Sequence, residues 1–213
     1  MKCKNCFSPT EVMKNCQFDA FYSYCPHCEV IMLDASMRVG ESREKHQYDQ
    51  HINTLDNSGY VRMFEDFLDF FWEELTCKIP HVLDFGSGPT PVLAHLMQQR
   101  GANIDCYDKF YQPTPIFEGK TYDLITSTEV FEHLFNPLET LKDLSQHLKS
   151  GGYLALMTLF HDNEMEHFWK WWYRRDPTHI TFFTPHTFEV MAQMCDMHVV
   201  KTDTKRVIVL QKR

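Results

Sequence analysis

HVLDFGSGPTPVLAHLMQQR, residues 81–100, decides the fold. His81 to Phe85 reads as a short apolar strand, Gly86-Ser87-Gly88 as a tight turn, and Val92 to Arg100 as a helix with apolar residues at helical spacing. A strand that breaks on glycines and leads straight into a helix lets backbone approach a ligand closely, and the helix N-terminus favours negative charge there. A dinucleotide turn calls for Gly or Ala at position 91, but this chain has Pro91, whose ring obstructs close approach of a pyrophosphate. Asp84 stands two residues before Gly86, at the strand end.

Downstream the alternation continues. Strands are expected at Asn103–Tyr107, Asp123–Thr128 and Tyr153–Thr158, the last after a turn at Gly151 and Gly152. Helices are expected at Pro137–Lys149 and Thr184–Cys195, and strands near Val199 and Val207–Leu210 form an antiparallel hairpin around Thr204. This is an α/β sheet of βαβ units with helices on both faces, occupying residues 80–213. Asp108 ends the second strand twenty residues after Gly88, the spacing at which a carboxylate accepts ribose hydroxyls. Only fourteen residues separate Asp108 from Asp123, with prolines at 113 and 115, so a strand near Ile116 and Phe117 must be very short.

Upstream, residues 37–79 read as a connector. Met37 to Asn57 is polar, with a short helix carrying Tyr48 and His51 on one face. From Tyr60 to Leu75 the apolar residues Phe64, Phe67, Leu68, Phe71 and Leu75 make one stripe of an amphipathic helix that ends before Pro80. Residues 1–36 hold Cys3, Cys6, Cys25 and Cys28, two CxxC pairs with 18 residues between them. Four thiolates at this spacing can close a tetrahedral shell around Zn²⁺, and the metal supplies folding free energy that so short a module lacks. With a strand from Phe18 to Tyr24, the module resembles a zinc ribbon. Cys16, Cys77, Cys106 and Cys195 have no partner spacing and read as small buried hydrophobes.

With DFGSGPT in place, residues from about Gly40 onward resemble the class I S-adenosylmethionine-dependent methyltransferases, whose fold is Rossmann-like. The match covers the strand-end Asp and two glycines and departs at the third glycine, where Thr90 stands. By that resemblance Asp84, Phe85 and the turn Gly86, Ser87 and Gly88 hold the methionine end of the cofactor. Asp108 holds its ribose, Lys109 and Phe110 lie beside the adenine, and Ser127 adds a contact from the fourth strand. The family's Asn-Pro-Pro-Tyr amino-methylating motif is absent where TSTE stands, which directs the reading to oxygen.

The segment TSTEVFEHLFNP follows the fourth strand. As the start of a helix it would put Glu129, Glu132 and His133 on one face, either as a general base or as metal ligands. ExxEH resembles the metal-binding helix of ubiquinone-pathway O-methyltransferases and of small-RNA 2′-O-methyltransferases. The resemblance implies a Mg²⁺ site of Glu129, Glu132 and His133 completed by His179, with His161 second in line. Without metal, His133 or His179 would be the base. Phe168, Trp169, Trp172 and Tyr173, interleaved with Lys170, Arg174 and Arg175, are expected on one helix standing over the cofactor as an acceptor wall, or else packed into the core.

The chain has 213 residues, 43% hydrophobic, which suits one domain plus a small module. No apolar run is long enough for a membrane span and no signal-peptide pattern opens the chain, so a cytoplasmic protein is expected. A net charge of -8 argues against a broad grip on nucleic acid while leaving room for a local patch. The expectation is O-methylation of a small-molecule hydroxyl. RNA or protein presented by the ribbon is the alternative acceptor, and a non-catalytic cofactor-binding scaffold is the alternative class.

Overall fold

The computed structural model describes residues 1–15, 20–50, 54–75 and 80–213, and of Asn15 the backbone alone. At the N-terminus β1 (Glu11–Asn15), β2 (Ala20–Tyr24) and β3 (Ile31–Leu33) form an antiparallel meander. Phe18, like Cys16, His51 and the segment from Cys77 to Ile79, lies outside the described residues. α1 (Glu41–Tyr48) is the connector helix and buries none of its residues. α2 (Ser58–Phe71) starts on Asn57, whose side chain accepts from the Tyr60 N–H, and buries Phe64, Phe67, Leu68 and Phe71. A single 3₁₀ turn, Trp72–Glu74, stands in place of its expected last turn.

The larger sheet begins with β4 (His81–Phe85), followed by α3 (Val92–Gln99), β5 (Asn103–Tyr107) and β6 (Tyr122–Thr128). After α4 (Pro137–Gln146) and β7 (Leu148–Met157) come α5 (Met165–Lys170), β8 (Thr181–Phe182) and α6 (Pro185–Gln193). The hairpin β9 (Met197–Thr202) and β10 (Val207–Lys212) closes the chain. The strand order is β5-β4-β6-β7-β10-β9, with β5, β4, β6 and β7 parallel and β10 antiparallel to both neighbours. This is the Rossmann-like methyltransferase architecture, a mixed central sheet flanked by helices.

Alternation along the strands divides the core. Val82, Leu124 and Ala155 face α2 and α3, while Leu83, Ile125 and Leu154 face α4 and α6. Burying both sides of β4 in this way leaves only its carboxyl end available for a ligand.

Four expectations are corrected. No strand forms between β5 and β6: Ile116 and Phe117 lie in turns, and Phe117 packs against Phe85 and Tyr107. α4 ends at Gln146, and Leu148 already pairs with Tyr122. Gly151 (φ +75°) and Gly152, where a Cβ would come 2.9 Å from the Lys149 carbonyl, form an irregularity within β7 rather than a turn before it. α6 stops two residues short of Cys195, which is buried; Cys106 is half-buried. Among the described residues no helix is long and apolar enough to cross a membrane.

Two-residue β8 belongs to the other sheet, pairing with β3 in the order β1-β2-β3-β8. The N-terminal meander is thereby continued by a strand from the C-terminal half of the chain.

Candidate cofactor and reaction site

A cavity of about 350 Å³ opens at the carboxyl end of β4. Gly86 and Gly88 adopt φ of +85° and +69°, so the turn folds back, and the N–H groups of Gly86 and Ser87 both donate to the Tyr107 carbonyl. Asp84, Phe85, Gly86, Ser87, Gly88, Asp108 and Lys109 all line the cavity. Ser127 does not: it is buried in β6, and its hydroxyl has no partner among the described residues. Thr128, Glu129 and Val130 form that wall instead.

Asp84 is buried, and burial raises its pKa to about 7 although the Thr126 hydroxyl donates to it at 3.0 Å. A buried carboxylate with no cation among the described residues suits a cationic ligand group. At Gly86 an added Cβ would come 2.2 Å from Val130 Cγ2, so the turn leaves no room for a side chain. Asp108 accepts from the N–H of Gly88 at 3.0 Å, Phe110 at 2.8 Å and Tyr111 at 3.0 Å, which fixes its carboxylate at the cavity edge.

The other wall was only partly foreseen. Tyr60 and Phe64 of α2 line the cavity, as do Glu44 and Tyr48 of α1. Their signal was the aromatic stripe, which reads as core because the same helical face serves both. Lys109 pairs with Glu44 at 2.9 Å, and the Tyr111 hydroxyl donates to Asp49 at 2.6 Å, so the loop after Asp108 ties α1 across the opening.

Glu129, Glu132 and His133 do not share a helical face. Glu129 takes φ +53°, its N–H donates to the Met157 carbonyl, and only the 3₁₀ turn Phe131–His133 follows. The two carboxylates nevertheless meet, at the Tyr173 hydroxyl, 3.1 Å from Glu129 Oε2 and 2.6 Å from Glu132 Oε1. Burial raises both pKa values, and for Glu132 the neighbouring Glu129 charge adds to it. Glu129 and His133 line the cavity, whereas Glu132 is fully buried behind it.

His133 donates through Nδ1 to the Thr178 carbonyl at 2.9 Å, and His179 does the same to the Tyr173 carbonyl at 2.8 Å. Both imidazoles therefore present the Nε2 lone pair, with ring centres 4.8 Å apart. Burial, then His179, lowers the His133 pKa to about 3. Glu132, His133 and His179 each bring a ligand atom within 4.8 Å of the others, and Glu132 Oε2 has no partner among the described residues. The donor set of two imidazoles and one carboxylate fits a borderline transition ion better than Mg²⁺, which favours oxygen. His161 stands apart: its Nε2 donates to the Glu29 carbonyl at 3.0 Å and its Nδ1 accepts from Asn163 N–H.

Of the two readings of the aromatic insertion, packing into the core holds for Phe168 and Tyr173, and the single helix over the cofactor does not form. The helix breaks at Trp171, and none of Phe168, Trp169, Trp172 or Tyr173 lines the cavity. Phe168 and Trp169 pack edge-on against Tyr22 of β2, Arg174 is buried and bonds the Trp169 carbonyl, and Trp172 is 65% exposed. The insertion thus builds the joint with the N-terminal meander. There Cys3, Cys6, Cys25 and Cys28 converge with all four sulfurs within 4.8 Å, as a tetrahedral thiolate site requires.

A Rossmann-like sheet with a glycine turn after its first parallel strand and a carboxylate at the end of each of two adjacent strands is an architecture of nucleotide-cofactor enzymes. The methyltransferase-domain family model matches residues 60–202, and the chain belongs to that family. The match runs from α2 to β9 and takes in the glycine turn and both strand-end aspartates. No curated protein matches the chain in sequence.

Among solved structures, an O-methyltransferase family protein from Burkholderia thailandensis aligns with TM-score 0.57 and 12% identity, over 79% of this chain. The chain spans 62% of that protein's length. Magnesium protoporphyrin IX methyltransferase from Synechocystis PCC 6803, with bound SAM, aligns with TM-score 0.56 and 10% identity, covering 82% of this chain and 92% of that one. A plantazolicin methyltransferase aligns with TM-score 0.51 and 16% identity, covering 81% and 90%. At these identities the likeness is one of fold.

Proposed function

We propose that the chain transfers a methyl group from S-adenosylmethionine to the hydroxyl oxygen of a small molecule. The observation that carries this reading is one cavity whose walls combine Asp84, the glycine turn and Asp108 with Glu129 and His133. The bound cofactor supplies an activated methyl on a sulfonium. Asp84 and the glycine turn would hold its methionine end, and Asp108 would accept from the ribose hydroxyls. Burial holds the His133 imidazole neutral, and with its Nδ1–H on the Thr178 carbonyl its Nε2 is left to accept a hydrogen bond from the acceptor hydroxyl and orient it, too weak a base to carry the proton away. Glu129 lines the same wall, and its carboxyl, raised by burial, is the group that would take the proton. The solved neighbours include methyltransferases named for magnesium protoporphyrin IX and for plantazolicin, which supports a small-molecule acceptor.

Incubation with S-adenosylmethionine and a panel of phenols, catechols and hydroxy acids tests this reading. It predicts an O-methyl ether product and loss of turnover in His133→Ala with S-adenosylhomocysteine binding retained. An N-methyl product, or unchanged turnover in His133→Ala, overturns it.

Two metal sites accompany the proposal. Cys3, Cys6, Cys25 and Cys28 would hold a structural Zn²⁺. A second ion at Glu132, His133 and His179, favoured by the unpartnered Glu132 Oε2, is the alternative to a direct contact of His133 with the acceptor, because it would occupy the Nε2 lone pair; it would lower the pKa of an acceptor hydroxyl. Full turnover after strong chelation, with zinc still bound at the cysteines, would eliminate the second ion.

A further inference from the structure

Behind the cavity wall one hydroxyl stands between two carboxyl groups. Tyr173 Oη lies 2.6 Å from Glu132 Oε1, 3.1 Å from Glu129 Oε2 and 3.3 Å from the Thr158 hydroxyl. Glu129 lines the cavity, whereas Glu132, Thr158 and Tyr173 are buried.

The ring that carries this hydroxyl has little freedom. Its centre lies 5.0 Å from that of Trp171, 5.6 Å from Trp172 and 4.1 Å from His179, and the Tyr173 carbonyl accepts from His179 Nδ1 at 2.8 Å. The ring belongs to the apolar cluster that joins the aromatic insertion to the N-terminal meander. A phenylalanine would fill that place equally well. Packing therefore accounts for the ring and leaves the hydroxyl to be explained by what it touches.

Burying a hydroxyl together with carboxyl groups costs free energy, and apolar side chains would serve the fold better. A fold keeps so costly a cluster beside a cavity where function uses it. Glu129 adds a second cost: its φ of +53° is left-handed in a residue that is not glycine, with its N–H on the Met157 carbonyl at 2.8 Å. A strained backbone on one side and the Tyr173 hydroxyl on the other fix where this carboxyl stands. Like charges so close repel, so without the shared hydroxyl the Glu129 carboxylate would be driven from its place.

We propose that Tyr173 is a positioning residue for the methyl transfer: its hydroxyl, anchored on Glu132 and Thr158, holds the Glu129 carboxyl where the acceptor hydroxyl arrives. Glu129 takes the acceptor proton as the methyl carbon–sulfur bond gives way to the ether carbon–oxygen bond, and the neutral sulfide leaves. Tyr173 does not line the cavity and acts through Glu129. The inference rests on the reading in which Glu129 takes the proton of a small-molecule hydroxyl.

The test is Tyr173→Phe, which keeps the ring and removes the hydroxyl. In crystals of the full zinc-loaded chain with S-adenosylhomocysteine, the variant's Glu129 carboxyl should stand about 1 Å or more from its wild-type position. Turnover is compared with two probes, catechol and 4-nitrocatechol, the second of which ionises near neutral pH and needs no base. The variant's kcat should fall about a hundredfold with catechol and far less with 4-nitrocatechol, while the acceptor KM and S-adenosylhomocysteine affinity change little. Thr158→Val, which loosens the anchor and leaves Tyr173 in place, should show the same pattern with a smaller loss. A Glu129 carboxyl that does not move, or an equal loss with both probes, overturns the proposal; equal loss is what a purely structural hydroxyl gives. Full turnover of catechol in Glu129→Gln overturns instead the reading in which Glu129 takes the proton.

Discussion

Asp84 carries the sharpest conflict between stability and function. Its carboxyl is buried, and its pKa is raised to about 7, above the ordinary carboxylate value of 3.8. A raised carboxyl pKa means that the folded state binds the proton more tightly than the unfolded chain. The stability this contributes is present at low pH and lost as pH rises through about 7. Asp84→Asn removes the buried charge, so at pH 8 the cofactor-free variant should be more stable by about 1 kcal/mol or more in urea denaturation. Its affinity for S-adenosylmethionine should fall about tenfold or more by calorimetry. The glycines separate in a similar way. Gly86→Ala drives a Cβ to 2.2 Å from Val130 Cγ2 and forces an L-residue to φ +85°, so a loss of about 2 kcal/mol and of cofactor binding is expected. Gly88→Ala meets nothing within 4 Å and should cost about 1 kcal/mol of backbone strain alone.

Those residues were legible because the strand, turn and helix that position them are contiguous in sequence. At the scale of elements legibility declines. Glu129, Glu132 and His133 are near one another as their spacing implies, but the spacing cannot show that Glu129 is left-handed or that Tyr173, 41 residues beyond Glu132, joins the two carboxylates. The aromatic insertion has helical periodicity yet breaks at Trp171, because its rings answer to Tyr22 of a distant strand. The same distant strand system reaches the reaction site. Leu33 N–H of β3 donates to the Ile180 carbonyl at 2.8 Å, and Ile180 N–H donates to the Glu132 carbonyl at 2.8 Å. The Thr181 hydroxyl of β8 bonds the Leu134 carbonyl at 2.7 Å. The cofactor turn, by contrast, hangs on β4 and β5. Cys28→Ser, which opens the thiolate cluster, should therefore lower turnover, by as much as about a hundredfold for a misplacement near 1 Å. S-adenosylhomocysteine affinity should change little. An equal loss in both measurements would mean that the cluster supports the whole fold and not this relay.

Across the whole molecule, the contact between meander and main sheet runs through polar groups, and the buried imidazole of His161 among them has one acceptable protonation state. His161 donates from Nε2 to the Glu29 carbonyl, the Thr184 hydroxyl donates to Glu29 Oε2 at 2.8 Å, and His186 bonds the His27 carbonyl at 3.1 Å. Because Asn163 N–H already donates to His161 Nδ1, a second proton on that ring has no place to go. Burial accordingly lowers its pKa to about 4 from an ordinary 6.5. The folded state binds fewer protons than the unfolded chain between these values, so the stability His161 contributes is full above pH 6.5 and lost as pH falls towards 4. The raised carboxyls Asp84, Glu129 and Glu132 act in the opposite direction over part of that range, so wild-type stability alone would not isolate the effect. His161→Gln removes only the imidazole titration. Urea denaturation at pH 7.5 and pH 4.5 should show the wild-type advantage over this variant shrinking by about 1.4 kcal/mol per pH unit below 6.5. An advantage that stays constant with pH would mean that His161 keeps an ordinary pKa and that the joint between the two sheets tolerates its charge.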